Sequence, residues 1–234
     1  MSELPTLVLV PGLGCDGEVW SETMGALVDV AACRIADISA GASIREMADA
    51  VIEGAPERFA LAGHSLGGYV AFEVMRRAPE RVDHLALIGT SARPDLPDVS
   101  ERRRAMISLC ESGRYEQVIE GLIPSVVACA RGDDTVLTER LRSMMKRVGA
   151  ETFCRQQRAI IDRVDSRPEL ARIRVPTLVA AGDEDALMSA ATQLEMLEVI
   201  PRANRVTVEG CGHTTPLERP DEIASALRSL LPTT

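Results

Sequence analysis

Three residues define the chemistry to look for: Ser65, Asp185 and His213. Ser65 lies in Gly63-His64-Ser65-Leu66-Gly67, a G-x-S-x-G pattern in which a strand turns sharply into a helix and lifts the serine hydroxyl out of the sheet. Side chains at the two flanking positions would clash in so tight a turn, so Gly63 and Gly67 are required. A serine hydroxyl is a poor nucleophile at neutral pH. It needs a base to take its proton and a third group to orient that base. After such a nucleophile elbow the acid comes first and the histidine second, each on a loop at the carboxyl end of a later strand.

Of the three histidines, His64 is too close in sequence to serve Ser65 as a separate base. It is expected to pack or hydrogen-bond behind the turn. His84 opens a strand and reads as an ordinary, partly exposed side chain. His213 follows the last strand in Gly210-Cys211-Gly212-His213 and is the candidate base. The segment Gly182-Asp183-Glu184-Asp185 offers three carboxylates after the penultimate strand. Asp185 is favoured because Gly-x-x-Asp lets the chain turn before the side chain points back to the histidine. Asp183 and Glu184 read as solvated loop charges. An acid moved to the preceding strand is disfavoured, since Gly89-Thr90-Ser91 has no carboxylate and Asp95 lies several residues on.

Acyl transfer also needs two fixed donors for the developing oxyanion. The N–H of Leu66, at the start of the helix, is one candidate, because helix N-termini leave such groups unpaired and favour negative charge. The second is the N–H of Leu13, in the loop Pro11-Gly12-Leu13-Gly14 after the first strand. That loop also fits a dinucleotide fingerprint, with Gly12, Gly14 and Gly17 in place and Asp37 about 20 residues beyond. A nicotinamide or flavin site is therefore a rival from this end of the chain, but it leaves Ser65, Asp185 and His213 unexplained. No metal or organic cofactor is expected.

These residues need a frame to hold them. Apolar runs at 6–10, 31–38, 58–62, 82–88, 177–181 and 205–208 read as six strands. Helices are expected from Asp16 to Leu27, from Ser43 to Gly54 with Ser43 and Glu46 as a capping box, and from Leu66 to Ala78. Two more are expected at 190–200 and 221–231, the last with Ile223, Ala226, Leu227, Leu230 and Leu231 as its stripe. Strand signals vanish from 91 to 167, where amphipathic helices read at 99–111, 115–130, 138–148 and 151–163. Strands alternating with helices make an α/β fold with a parallel sheet. The expected organisation is a core of residues 1–90 and 168–234, with a helical cap of residues 91–167 inserted after the fourth strand.

Taken together, the motifs resemble the α/β-hydrolase superfamily over nearly the whole chain. The loop with Trp20, the elbow Gly-His-Ser-Leu-Gly-Gly-Tyr, the strand Val82 to Gly89, the acid segment Val175 to Asp185 and the histidine segment Gly212 to Pro220 occur in order. Two departures stand out: Pro11-Gly12 replaces the family's frequent His-Gly, and the antiparallel hairpin that often opens the fold is absent. The resemblance is to small esterases and lactonases, such as 3-oxoadipate enol-lactonase. It implies a mostly parallel sheet and a serine hydrolase that cleaves a small, largely apolar ester or lactone through an acyl-enzyme. The same scaffold also carries carbon–carbon hydrolases, lyases and slow-turnover receptors. Met106, Leu109, Ile119, Leu122, Val126 and Val127 are candidates to line an apolar acyl pocket under the cap, or to form the cap's own core.

Composition sets outer bounds. The 234 residues are 46% hydrophobic and 26% charged, which suits a folded domain with a sizeable core. A net charge of −9 with only 3% aromatic residues argues against a nucleic-acid or anionic-membrane surface. The apolar runs fall short of a membrane span, and the N-terminus lacks a signal-peptide pattern. The six cysteines form no C-x-x-C pair and read as buried free thiols of a cytoplasmic protein, monomeric or homodimeric.

Overall fold

A computed structural model describes residues 4–232, so Met1 to Glu3 of the N-terminal reading lie outside it. β1 (Thr6–Val10) leads into a 3₁₀ turn (Gly17–Trp20) and a short helix α1 (Ser21–Gly25). A single helix was expected here. The side chain of Asp16 does cap the segment, accepting from Glu18 N–H, but it caps a 3₁₀ turn that buries Val19 and Trp20. β2 (Ala32–Ile35) is shorter than expected. It pairs only with β1, which runs into Pro11, and proline cannot extend the ladder.

α2 (Ile44–Gly54) is capped by Ser43, which accepts from Glu46 N–H, while the Glu46 carboxylate accepts from Ala42 N–H one residue before the expected partner. β3 (Phe59–His64), α3 (Leu66–Arg77) and β4 (Val82–Ile88) follow. Then come α4 (Pro97–Glu111), α5 (Tyr115–Val126) and α6 (Thr135–Ile161). Gly149, at φ 80° and ψ 158°, leaves the helical region and divides α6 into the two helices expected there. β5 (Thr177–Gly182), α7 (Ala190–Val199), β6 (Ala203–Val208), α8 (Thr215–Glu218) and α9 (Pro220–Leu230) complete the chain.

The six strands form one parallel sheet in the order β2-β1-β3-β4-β5-β6. Side chains alternate across it, as the pleat requires. Leu7, Leu9, Ala60, Ala62, Ala86 and Ile88 pack on the side of α9, whose Ile223 and Leu227 are fully buried. Each fully buried leucine or isoleucine among these contributes about 1.5–3 kcal/mol of hydrophobic stabilisation. Val8, Val10, Leu61, Leu85 and Leu87 pack on the opposite side, against α2 and α3.

The helical insertion is tied down at its root by buried charge. Asp95 accepts from Arg103 Nε of α4 at 2.6 Å and pairs with Arg163, just past α6, at 2.8 Å. The Arg163 guanidinium lies 4.2 Å over the ring of Tyr69 in α3. Asp95 thus has a structural partner set away from the elbow. The six cysteines are free, but only Cys110, Cys154 and Cys211 are buried, and Cys129 is exposed. Among the described residues no helix is long and apolar enough to cross a membrane.

Candidate active site

Ser65 stands at the end of β3, in the middle of the sheet. Its φ of 54° makes it the one non-glycine residue with positive φ among those described. A Cβ at Gly63 would collide with the Gly67 carbonyl, and one at Gly67 with the Val10 carbonyl. Both positions therefore leave no room for a side chain. Three hydrogen bonds hold the strained serine: Ser65 N–H donates to the Ile88 carbonyl, and the Ser65 carbonyl accepts from Gly68 N–H and Thr90 Oγ1, each at 2.9 Å.

Asp185 follows β5 on the loop that begins at Gly182. Its Oδ1 accepts from Leu187 and Met188 N–H at 2.8 and 2.9 Å. That leaves Oδ2 to accept from His213 Nδ1–H at 2.9 Å, and His213 Nε2 accepts from the Ser65 hydroxyl at 2.9 Å. Burial raises the Asp185 pKa, but His213 and the two amides outweigh it and hold the carboxyl below its ordinary value. His213 is itself placed by Thr214, whose N–H and hydroxyl both donate to the Val126 carbonyl at the end of α5. Asp183 and Glu184 are exposed, as expected, yet each accepts a backbone N–H, from Cys211 and Cys129 respectively.

His64 lies behind the elbow. Its Nε2–H donates to the His213 carbonyl at 2.9 Å, and its ring meets Trp20 edge-on at 6.4 Å. Burial above all, then the nearby His213, pushes its pKa down to about 3, so it is a neutral prop. His84 is half-buried in β4 and reaches none of these groups.

Residues 12 to 15 form a β-turn closed by Cys15 N–H donating to the Gly12 carbonyl at 3.2 Å. Gly14, third in the turn, has φ 65°, which favours glycine. A β-turn leaves the amides of its two central residues unpaired. Gly14 N–H donates to Gln156 Oε1 of α6 at 2.9 Å. Leu13 N–H, like Leu66 N–H, has no acceptor among the described residues. Gly12 packs so closely on the elbow that a Cβ there would lie 2.8 Å from His64 Nδ1. The glycine-rich loop thus faces the serine, and it leads into a 3₁₀ turn before the short helix α1.

The chain matches the alpha/beta hydrolase family over residues 7–226. It belongs to that family. Among its relatives, this hydrolase is 25% identical over 240 residues to a pimeloyl-[acyl-carrier protein] methyl ester esterase from Nitrosomonas europaea, spanning 97% of this chain and 95% of that one. It is 26% identical over 236 residues to a protein of Pseudomonas savastanoi pv. phaseolicola named for carbamate hydrolysis, spanning 94% and 90%. A thermophilic esterase from Thermogutta terrifontis superposes with a TM-score of 0.88 at 26% identity, covering 97% of this chain and 89% of that one.

Several groups at the hydrolase's site gave no sequence signal. Gln156 is 2% exposed, and Met145 and Phe153 would each lie 3.4 Å from a Cβ at Gly14. Glu218, 4% exposed, accepts from Ala128 N–H and Gly212 N–H at 2.9 and 3.1 Å, and so joins the insertion to the histidine loop. The burial of Glu218 comes from tertiary packing, so no sequence pattern marks it. Of the proposed pocket residues, Ile119 and Val127 are buried, while Met106, Leu109, Leu122 and Val126 are partly buried against the same apolar cluster.

Proposed function

We propose that this hydrolase cleaves a carboxylic ester or lactone of a small, largely apolar substrate through an acyl-enzyme on Ser65. The observation that carries the reading is the continuous hydrogen-bonded line Ser65–His213–Asp185, with 2.9 Å at each step. His213 Nε2 takes the hydroxyl proton as Ser65 Oγ attacks the carbonyl carbon. Asp185 keeps the proton on Nδ1 and steadies the imidazolium. The amides of Leu13 and Leu66 receive the negative charge on the carbonyl oxygen. His213 then protonates the leaving alkoxide, and the ester becomes an acyl group on Ser65. A water molecule deprotonated by His213 releases the acid and restores the serine.

The names of the relatives support an ester substrate. The partly buried apolar candidates Met106, Leu109, Leu122 and Val126 are in keeping with an apolar acyl or alcohol portion. A carbamate is the second reading, favoured by the Pseudomonas relative's name; it presents the same carbonyl to the same serine.

A fluorophosphonate probe should label the wild type and leave Ser65→Ala unlabelled. Short-chain p-nitrophenyl esters should be turned over, with kcat falling by roughly 10⁴–10⁶-fold in Ser65→Ala or His213→Ala. An unlabelled wild type rejects the serine mechanism. Faster turnover of aryl carbamates than of matched esters would favour the second reading.

A further inference from the structure

We propose that Gln156, on the inserted helix α6, is a positioning residue that aims the Leu13 amide at the reacting carbonyl oxygen. The proposal rests on the Ser65 acyl-enzyme reading above.

The loop that carries Leu13 is gripped from both sides. On one side Gly12 is seated directly on His64 and Ser65, with no room for even a methyl group. On the other side Gly14 N–H donates to Gln156 Oε1 at 2.9 Å. Leu13 lies between these two fixed points, and the orientation of its amide follows from theirs. Without an acceptor at residue 156, the Gly14 amide would be a buried donor with no partner. The turn would then gain by rotating that amide toward another acceptor, which would swing Leu13 N–H away from the line of attack. Gln156 is itself held. It is 2% exposed and sits next to Gln157, whose Oε1 accepts from Arg103 Nη1 at 2.8 Å. Arg103 in turn binds Asp95. The pairing chosen by a glutamine 142 positions away in the chain thus sets one of the two oxyanion donors.

The consequence is specific to the transition state. The oxyanion exists only after attack, so a misaimed donor weakens binding of the tetrahedral species and leaves ground-state binding nearly unchanged. A trifluoromethyl ketone reads this directly. Ser65 Oγ bonds to its carbonyl carbon, the hydroxyl proton passes to His213, and the carbonyl oxygen becomes the bound oxyanion.

The test compares wild type, Gln156→Met and Gln156→Glu with a p-nitrophenyl ester and a matching trifluoromethyl ketone. Methionine fills the space and leaves Gly14 at most a weak sulfur acceptor in place of the amide oxygen. It should lower kcat by about tenfold to a hundredfold, below the full loss of a donor, with KM within about twofold and the ketone's affinity falling in parallel with kcat. Glutamate keeps an acceptor for Gly14 and guards against a folding failure of the first variant. Because the Gly14 amide keeps its partner, kcat and ketone affinity should stay well above those of Gln156→Met, with KM unchanged. If folded Gln156→Met keeps wild-type kcat, if Gln156→Glu falls as far as Gln156→Met, or if KM rises while the kcat-to-ketone correlation is lost, Gln156 does not position the donor. If the wild type lacks Ser65-dependent turnover, the catalytic reading itself has failed, and that result is separate from any effect at Gln156.

Discussion

The imidazole of His64 is sealed behind the elbow and donates its one N–H to the carbonyl of His213. Its pKa of about 3 lies well below the 6.5 of an exposed histidine. The unfolded chain therefore binds a proton that the folded chain refuses. Stability from this group is complete above pH 6.5 and is lost as the pH falls toward 3, at about 1.4 kcal/mol per pH unit. Urea unfolding of the wild type between pH 7 and 5 should show a loss of about 2 kcal/mol from this source. His64→Gln should flatten the slope even where it lowers stability overall. Parallel profiles for the two proteins would mean that another group is responsible. Asp185 acts in the same direction in a lower window. Its depressed pKa gives stability that is present above its ordinary value of 3.8 and lost below it.

At the scale of elements, the inserted helices depend on a carboxylate outside any helix. Asp95 and Arg163 are 5% and 6% exposed, and Arg103 is 14% exposed. Asp95→Asn would leave two largely buried guanidinium groups without their counter-charge, at a cost of about 3–5 kcal/mol. A shift of that size is measurable as a lower denaturation midpoint; a change below about 1 kcal/mol would show that water replaces the pair. Such features mark the limit of what the sequence conveys. The strands, the elbow and the stripe of α9 were legible because each rests on a local period or a short motif. Asp185 and His213 lie on the loops that the chain order after an elbow points to, those following β5 and β6. Asp95, Gln156 and Glu218 were not legible, because their partners lie in distant segments and a buried polar pairing leaves no periodic trace. The short β2 and the 3₁₀ turn at Gly17–Trp20 were misjudged for a related reason: a strand's neighbour and the packing of Trp20 decided their lengths.

For the molecule as a whole, the insertion is part of the site's scaffold. Its segment 126–129 supplies the Val126 carbonyl to Thr214, Ala128 N–H to Glu218 and Cys129 N–H to Glu184. These bonds reach the loops that carry both His213 and Asp185. Glu218→Gln tests the coupling. A carboxylate accepts from two amides at once, whereas an amide side chain presents an N–H to one of them. Stability should fall by about 1–3 kcal/mol and kcat should drop with it. If kcat is unchanged at full folding, the insertion serves only to cover the site.

The φ of 54° at Ser65 restricts which side chains can stand at that position, and so, on the proposed mechanism, which nucleophiles this scaffold can carry. Cysteine and aspartate have a single substituent on Cβ and can take the serine's place in that conformation. Threonine is branched at Cβ and is a severe outlier there. Divergence of this scaffold toward thiol or carboxylate chemistry is one substitution away. A threonine nucleophile would require rebuilding the turn, together with the glycine contacts that fix it.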